Sequence, residues 1–270
     1  MTGRELKADR PKPKVMTSTS WDGRHVLEFN EGSHRYRLDG RAIKGATTVG
    51  SAYPKAEALI RWMVAQGIEE YKNQSLKTKG AEIGTILHAF AEAYEKGLPF
   101  DMAAVEASPH REECERVIGR FLERRAGNAD RILASEEIVA SVELQVGGKI
   151  DTLREREGLG LVLSDYKTSK GIYMEQLNQV IGVYRRAYRE WRNMDIPYVE
   201  IVTFPKLAED DMHVLLADKD GWVKDGVRTD VPDFFERMEA QAERNVGTYR
   251  FRAEVDELLF PSHRTPKEGV

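Results

Sequence analysis

The chain has a single cysteine, Cys114, and that alone removes several chemistries. One thiol forms no internal disulfide, and an iron–sulfur cluster normally takes about four thiolates. Long apolar runs are also missing: none reaches the roughly 18–20 residues a bilayer span requires. Met1 to Ser20 has no hydrophobic centre of the kind a secretory leader carries, so a reducing cytoplasm is the expected location. No G-x-x-x-x-G-K-[ST] loop is present, which excludes a nucleotide cofactor held in that way. There is no basic excess either. The 270 residues hold 41 Lys+Arg against 45 Asp+Glu, a formal net charge of −4, so bulk charge does not argue for nucleic-acid binding. What remains is an ordinary globular composition, 41% hydrophobic and 32% charged, too apolar for a disordered chain and too charged for a membrane protein.

Residues 1–20 combine five basic and two acidic residues with two prolines and a Ser/Thr cluster, the composition of a flexible basic arm. From Trp21 to about residue 250 the pattern predicts one domain, followed by a polar tail over 251–270. Phe29–His34 and Arg35–Gly40 read as short strands, with Asp39-Gly40 as a hairpin signal. Leu59–Tyr71 has helical periodicity. Over Ala81–Lys96, Ile83, Ile86, Leu87, Phe90 and Tyr94 form one apolar stripe that Gly97 closes. At about 100° per residue, His88, Glu92 and Glu95 share a polar sector beside that stripe, and Gly84 leaves space one turn before His88.

Another helix is expected over Glu112–Arg125. From Arg131 the period becomes two, predicting strands over Ile132–Val139, Ser141–Val146, Lys149–Arg154 and Leu159–Lys167, with Gly147-Gly148 as a bend. A helix over Met174–Trp191, strands near Tyr198–Phe204 and Met212–Leu216, and a last helix over Asp233–Arg244 complete the pattern. The expected class is α/β: a mixed central sheet flanked by helices.

The strand ending in Asp165-Tyr166-Lys167 carries the chemistry. Side chains two apart share a face, so Asp165 and Lys167 point together while Tyr166 enters the opposite layer. If the preceding strand pairs with it, Asp151 comes alongside Asp165. Two carboxylates and an ammonium at adjacent strand ends suit a hard cation. Glu136 and Glu137, one strand earlier, read as structural. Arg185, Arg186, Arg189 and Arg192 form either a solvated face or a track for phosphates, and Lys72, Lys77, Lys79 and Lys170 are further phosphate contacts.

Taken in order, Gly84-x-x-x-His88, Gly148-Lys149-Ile150-Asp151, Asp165-Tyr166-Lys167-Thr168 and a helix with Gln176, Gln179 and Tyr184 resemble the RecB-type branch of the PD-(D/E)XK nuclease superfamily. Tyr36–Trp62, with Leu38-Asp39-Gly40 and Thr47-Thr48-Val49, is similar to the leading segment of its small stand-alone members. The resemblance implies a restriction-endonuclease-like fold over roughly residues 30–190. It makes His88, Asp151, Asp165 and the Tyr166 carbonyl metal ligands, Lys167 the group that orients the attacking water, and Gln179 or Gln176 with Tyr184 further site residues. Glu92 is a candidate supporting group. Oxygen ligands favour Mg²⁺ or Mn²⁺, and a histidine tilts the set toward Mn²⁺.

The resemblance further implies a DNA exonuclease of the phage and bacterial type without a cluster. Such an enzyme acts on a free end in recombination, repair or replication, alongside partner proteins of those processes. The alternatives are a binding module on a degenerate nuclease fold, or a nuclease for RNA or junctions. One departure stands out: the family's glutamine precedes its tyrosine by about four positions, whereas Gln179 and Tyr184 are five apart.

Overall fold

The computed structural model describes residues 14–50, 52, 75–128 and 130–259. Eleven strands among these form one mixed sheet, and β1 (Val15–Thr19), β2 (Val26–Asn30), β3 (Arg35–Leu38) and β4 (Arg41–Gly45) build its antiparallel start. The Asp39-Gly40 hairpin is present, with φ of 51° and 76° at the two turn residues, the left-handed pair that a two-residue turn between twisted strands needs. The arm expected over 1–20 ends earlier than the composition indicated. Met16 to Ser18 pair with Phe29 to Leu27, so the Ser/Thr cluster is an edge strand. The helix expected over Leu59–Tyr71 lies outside the described residues, as do Trp62 and the side chains of Lys72 and Lys77.

Strands β5 (Arg131–Ser141), β6 (Val146–Arg156), β7 (Gly160–Lys167) and β8 (Tyr198–Thr203) form the centre. β6 runs parallel to β4 and antiparallel to β5 and β7, and β8 runs parallel to β7. Two expectations are corrected here. The strand expected over Ser141–Val146 is instead the turn of residues 142–145 joining the paired ends of β5 and β6, and Gly147-Gly148 lies inside β6 rather than at a bend. The glycines are there for space. A Cβ on Gly147 would lie 2.6 Å from the Tyr36 ring, and one on Gly148 would lie 2.5 Å from the Tyr184 ring. Beyond β8 come β9 (Val214–Asp218), β10 (Gly221–Lys224) and β11 (Val227–Asp230). The last two were not anticipated, although Asp225-Gly226 carries the same hairpin signature, with φ of 49° and 84°.

Helices cover both sides. α1 is Ala46–Gly50, α2 Ser75–Glu95, α3 Ala103–Glu106 and α4 Arg111–Arg125. α2 ends as its sequence predicts: Gly97 is left-handed at φ 63°, and the Leu98 N–H returns to the Ala93 carbonyl at 2.8 Å. Ile83, Ile86, Leu87 and Ala91 of α2 pack with Val117, Ile118 and Phe121 of α4 over Tyr166, Val202 and Phe204 of the sheet. Cys114 is fully buried in this layer.

The other layer follows β7 in sequence. It consists of α5 (Met174–Leu177), a π-helix (Asn178–Arg185), α6 (Arg186–Arg192) and the long α7 (Phe234–Leu259). Val180, Ile181, Val183 and Trp191 pack with Phe235 and Met238 against Leu163, Val199 and Ile201. α7 runs fifteen residues beyond the expected Arg244, so the polar tail over 251–270 begins as helix. Among the described residues, no helix is long and apolar enough to cross a membrane.

Candidate metal and catalytic centre

Each core layer delivers one part of the site to the middle of β5 and β6 and the end of β7. From α2, five residues after the buried Ile83, His88 projects Nδ1 to within 3.4 Å of Asp151 Oδ1 and 3.6 Å of Glu136 Oε1. These three side chains each offer one ligand atom, all within 4.8 Å of one another. Glu136 lies on β5 between residues that pair with Thr152 and Ile150, which sets it across from Asp151. Its φ is 54°, a left-handed conformation that is costly for a residue with a side chain and that collects at functional positions. The residue read from sequence as structural therefore joins the site. The signal was hidden because strand alternation gives no hint of a left-handed residue.

β7 pairs with β6 as expected, with Thr152 opposite Ser164, so Asp151 and Asp165 come side by side at the end of the ladder. Asp151 Oδ2 also accepts the Tyr166 backbone N–H at 2.6 Å, which fixes its carboxylate. Asp165 is 2% exposed; its Oδ2 lies 2.5 Å from Lys167 Nζ but has no well-formed hydrogen bond. A buried carboxylate oxygen left in this state, beside an imidazole and two more carboxylates, is the donor chemistry a hard divalent cation takes. Of the expected set, His88 and Asp151 converge with Glu136, while Asp165 lies beside Asp151 through the β6–β7 pairing.

Charge in this cluster is strongly coupled. Burial opposes the charged imidazole of His88, yet Asp151 and Glu136 outweigh it and push the ring up to about 9. Burial pushes the Asp151 carboxyl up to about 7, against the pull of His88. Burial likewise raises Glu136, but His88 and Lys149 more than reverse this and hold it ionised, with Lys149 in direct ion-pair contact. Burial opposes the Lys167 charge, while Asp165 and Asp151 restore it and leave the ammonium firmly protonated.

From the other layer comes Tyr184, whose phenol is pushed up by burial and by the nearby Asp165 and Asp151. Gln179 donates to its oxygen at 2.5 Å and to Thr47 Oγ1 at 3.1 Å, so the Thr47-Thr48 segment singled out in the sequence reaches the site. The five-residue spacing is accommodated because Asn178–Arg185 is a π-helix, whose wider turn stacks i on i+5. Gln176 acts elsewhere. Its Oε1 accepts the Tyr173 N–H and caps α5, while its Nε2 donates to Ser169.

Behind the site Glu95 ties the helix to the sheet. Its Oε1 accepts from the Tyr166 hydroxyl at 2.7 Å and its Oε2 from Thr152 Oγ1 at 2.5 Å. Glu92, the expected supporting group, instead pairs with Lys96 at 2.5 Å on the exposed side of α2. Helical spacing put both in one polar sector but offered no means of telling which faced the sheet. An open cleft of about 710 Å³ runs between β1, β5 and the end of α2, with Glu95, Glu136 and Glu137 on its walls, and Glu136 is the one residue of the cluster that lines it.

The arginine track is corrected. Arg185 pairs with Asp195 and Glu239, Arg186 with Glu143, Glu190 and Glu243, Arg189 with Glu239, and Arg192 with Glu137. Arg185 and Arg186 are buried in these pairs, and the group fastens α6 to α7 and β5 rather than facing a strand of nucleic acid. Lys170 is exposed but paired with Asp210 at 2.7 Å.

No curated protein matches the chain. A family model does: that of the PD-(D/E)XK nuclease superfamily, whose nucleases use divalent metal ions, matches residues 60–184. The match takes in His88, Glu136, Asp151, Asp165, Lys167 and Tyr184, and the mixed sheet flanked by helices is consistent with the restriction-endonuclease-like fold of that superfamily.

Proposed function

We propose that this chain is a metal-dependent deoxyribonuclease of the RecB-type branch, acting as an exonuclease on free DNA ends in the cytoplasm of a bacterium or a phage host. One observation carries the reading: His88, Glu136 and Asp151 converge within 4.8 Å, with Asp165 and Lys167 paired beside them. A binding module has no need of that combination.

His88, Asp151, Asp165 and the Tyr166 carbonyl would hold Mg²⁺ or Mn²⁺, with Glu136 as an added carboxylate. A divalent cation in such a site takes up charge on the phosphate and lowers the pKa of its bound water. The protein's own groups do the rest. Lys167 keeps its ammonium at the end of β7, where it orients a water for in-line attack and offsets charge developing on the phosphate. Tyr184, fixed by Gln179 and Thr47, borders the same space and positions the strand. The chemistry reads the phosphodiester, so recombination, repair or replication proteins would supply the ends on which it works.

Time courses on end-labelled single- and double-stranded DNA, with covalently closed circles and RNA as controls, test this in Mg²⁺, Mn²⁺ and EDTA. Shortening of linear DNA from its ends, with circles spared and EDTA abolishing the reaction, is the expected result. Nicking of circles at a comparable rate would replace the exonuclease with an endonuclease. DNA binding with no cleavage in either metal would leave only a binding module.

A further inference from the structure

The arginines of α6 are neutralised, yet a second basic group lies on the opposite layer. Lys206, in the connection between β8 and β9, places Nζ 3.4 Å from where a Cβ on Gly80 of α2 would be. Among the described residues it has no carboxylate partner and no hydrogen bond. Two arginines of α4 hold the loop that presents it. Arg116 donates to the Lys206 carbonyl at 2.5 Å, and Arg120 donates to the carbonyls of Pro205 at 2.6 Å and Asp210 at 2.9 Å. Neither arginine has an ion-pair partner among the described residues. Lys79, next to Gly80, is paired with Glu113 at 2.5 Å. Two lysines and two arginines therefore gather at this loop, where Lys79 takes Glu113 and Lys170 takes Asp210, in a protein whose net charge is −4.

Gly80, Gly84 and His88 follow one another at four-residue steps and share a face of α2. Gly84 faces Thr168, the residue after Lys167, with 3.7 Å between a built Cβ and Thr168 Oγ1. The face that ends at the metal cluster thus begins at Lys206. Eight residues of helix span about 12 Å, so the two points lie a few nucleotides apart along a bound strand.

We propose that Lys206 is a phosphate-binding subsite that grips the nucleic-acid strand a few nucleotides from the scissile bond. The inference rests on the nuclease reading for the meaning of that distance. An ammonium that is half-buried and unpaired has a cost that only an anion relieves: burial, and then Lys79, pull Lys206 below the ordinary lysine range. Glycine at Gly80 and Gly84 lets a phosphate backbone approach the helix closely.

Fluorescence anisotropy on labelled single-stranded and duplex oligonucleotides, in Ca²⁺ and over a series of salt concentrations, tests the subsite. Lys206→Gln should weaken binding about 5- to 10-fold and make the salt slope shallower by about 0.7 for single strands or 0.9 for duplex, the loss of one phosphate contact. Lys206→Arg should restore both. Lys219→Gln, on the distant β9–β10 turn, should change neither. The melting temperature of Lys206→Gln should match wild type, because the ammonium has no partner there to lose. An unchanged slope, equal losses in Lys219→Gln, or a fall in melting temperature that accounts for the weaker binding would each overturn the subsite. The outcomes separate from those of the nuclease reading. Wild type that cuts DNA while Lys206→Gln binds normally removes the subsite alone. Wild type that never cuts, but binds with a Lys206-dependent slope, keeps the subsite and removes the nuclease.

Discussion

The side-chain amide of Gln179 donates to the phenol oxygen of Tyr184 at 2.5 Å, across five residues of a π-helix. In an α-helix those positions would point about 140° apart, and Tyr184 would leave the carboxylates. The ring is held from the other side by Gly148, where an added Cβ would sit 2.5 Å from it.

Gly148→Ala should therefore destabilise the protein by about 1–3 kcal/mol, the cost of overpacking a filled core, and should displace Tyr184 from the site. Urea denaturation gives the first quantity and tyrosine-sensitive near-UV dichroism the second. A wild-type midpoint in Gly148→Ala would contradict the packing described.

The roles of the strand-end residues separate by metal calorimetry. Asp151→Ala and Asp165→Ala should lose Mn²⁺ binding and cleavage together, and Glu136→Gln should weaken Mn²⁺ binding about 10-fold or more. Lys167→Ala should bind Mn²⁺ as well as or better than wild type, since a repulsive charge has gone. Its cleavage should still fall about 100-fold or more, close to 3 kcal/mol of transition-state stabilisation. Normal Mn²⁺ binding by Asp165→Ala would redraw the centre around His88, Glu136 and Asp151 alone.

Glu95 accepts two hydroxyls from the strands that carry Asp151 and Asp165, so its loss acts on the site through α2. Glu95→Ala should cost about 3–6 kcal/mol of stability, since each of the two bonds to this charged acceptor is worth about 1.5–3 kcal/mol. Tyr166→Phe removes only one of the two bonds and leaves the backbone carbonyl in place, so it should keep most of the cleavage rate. If Tyr166→Phe were as inactive as Asp165→Ala, the hydroxyl would have a direct part in the reaction.

Glu200 sets the acid limit of the fold. It is buried and accepts from Arg124 and Arg156 at 3.0 Å each and from Arg154 in direct contact. Burial raises its carboxyl, and the three arginines, led by Arg154, outweigh that and hold it below the usual glutamate range. A lowered folded pKa gives stability that is complete above the unfolded value, near 4.5, and is lost as pH falls through the folded value. Glu200→Gln should cost about 3–5 kcal/mol at pH 7, by leaving arginines unpaired in the interior, and should flatten the decline below pH 4.5. Parallel acid limbs for the two proteins would remove Glu200 as the titrating group.

Local chemistry was readable where it depended on near neighbours. The Asp39-Gly40 turn, the Gly97 stop, the His88 stripe and the Asp165–Lys167 pair all follow from spacing within a few residues. What escaped depended on partners far along the chain. Arg185 and Arg186 read as a solvated face or a phosphate track because Glu239 and Glu243, which neutralise them, lie more than fifty residues away. Gly147 and Gly148 read as a bend because Tyr36 and Tyr184, which need the space, lie in other elements outside any local sequence window. Glu136 escaped for a third reason, since its left-handed backbone breaks the alternation by which strand faces are read.

Cys114 is the chain's one thiol, sealed at 0% exposure between α2 and α4, where burial first and nearby carboxylates second push it above its ordinary pKa. A thiol both inaccessible and protonated reacts slowly with maleimides and oxidants alike. The native protein is therefore blank to thiol chemistry. A cysteine introduced at exposed Lys219 or Val227 would take one dye at one known position, with no background mutation to make first.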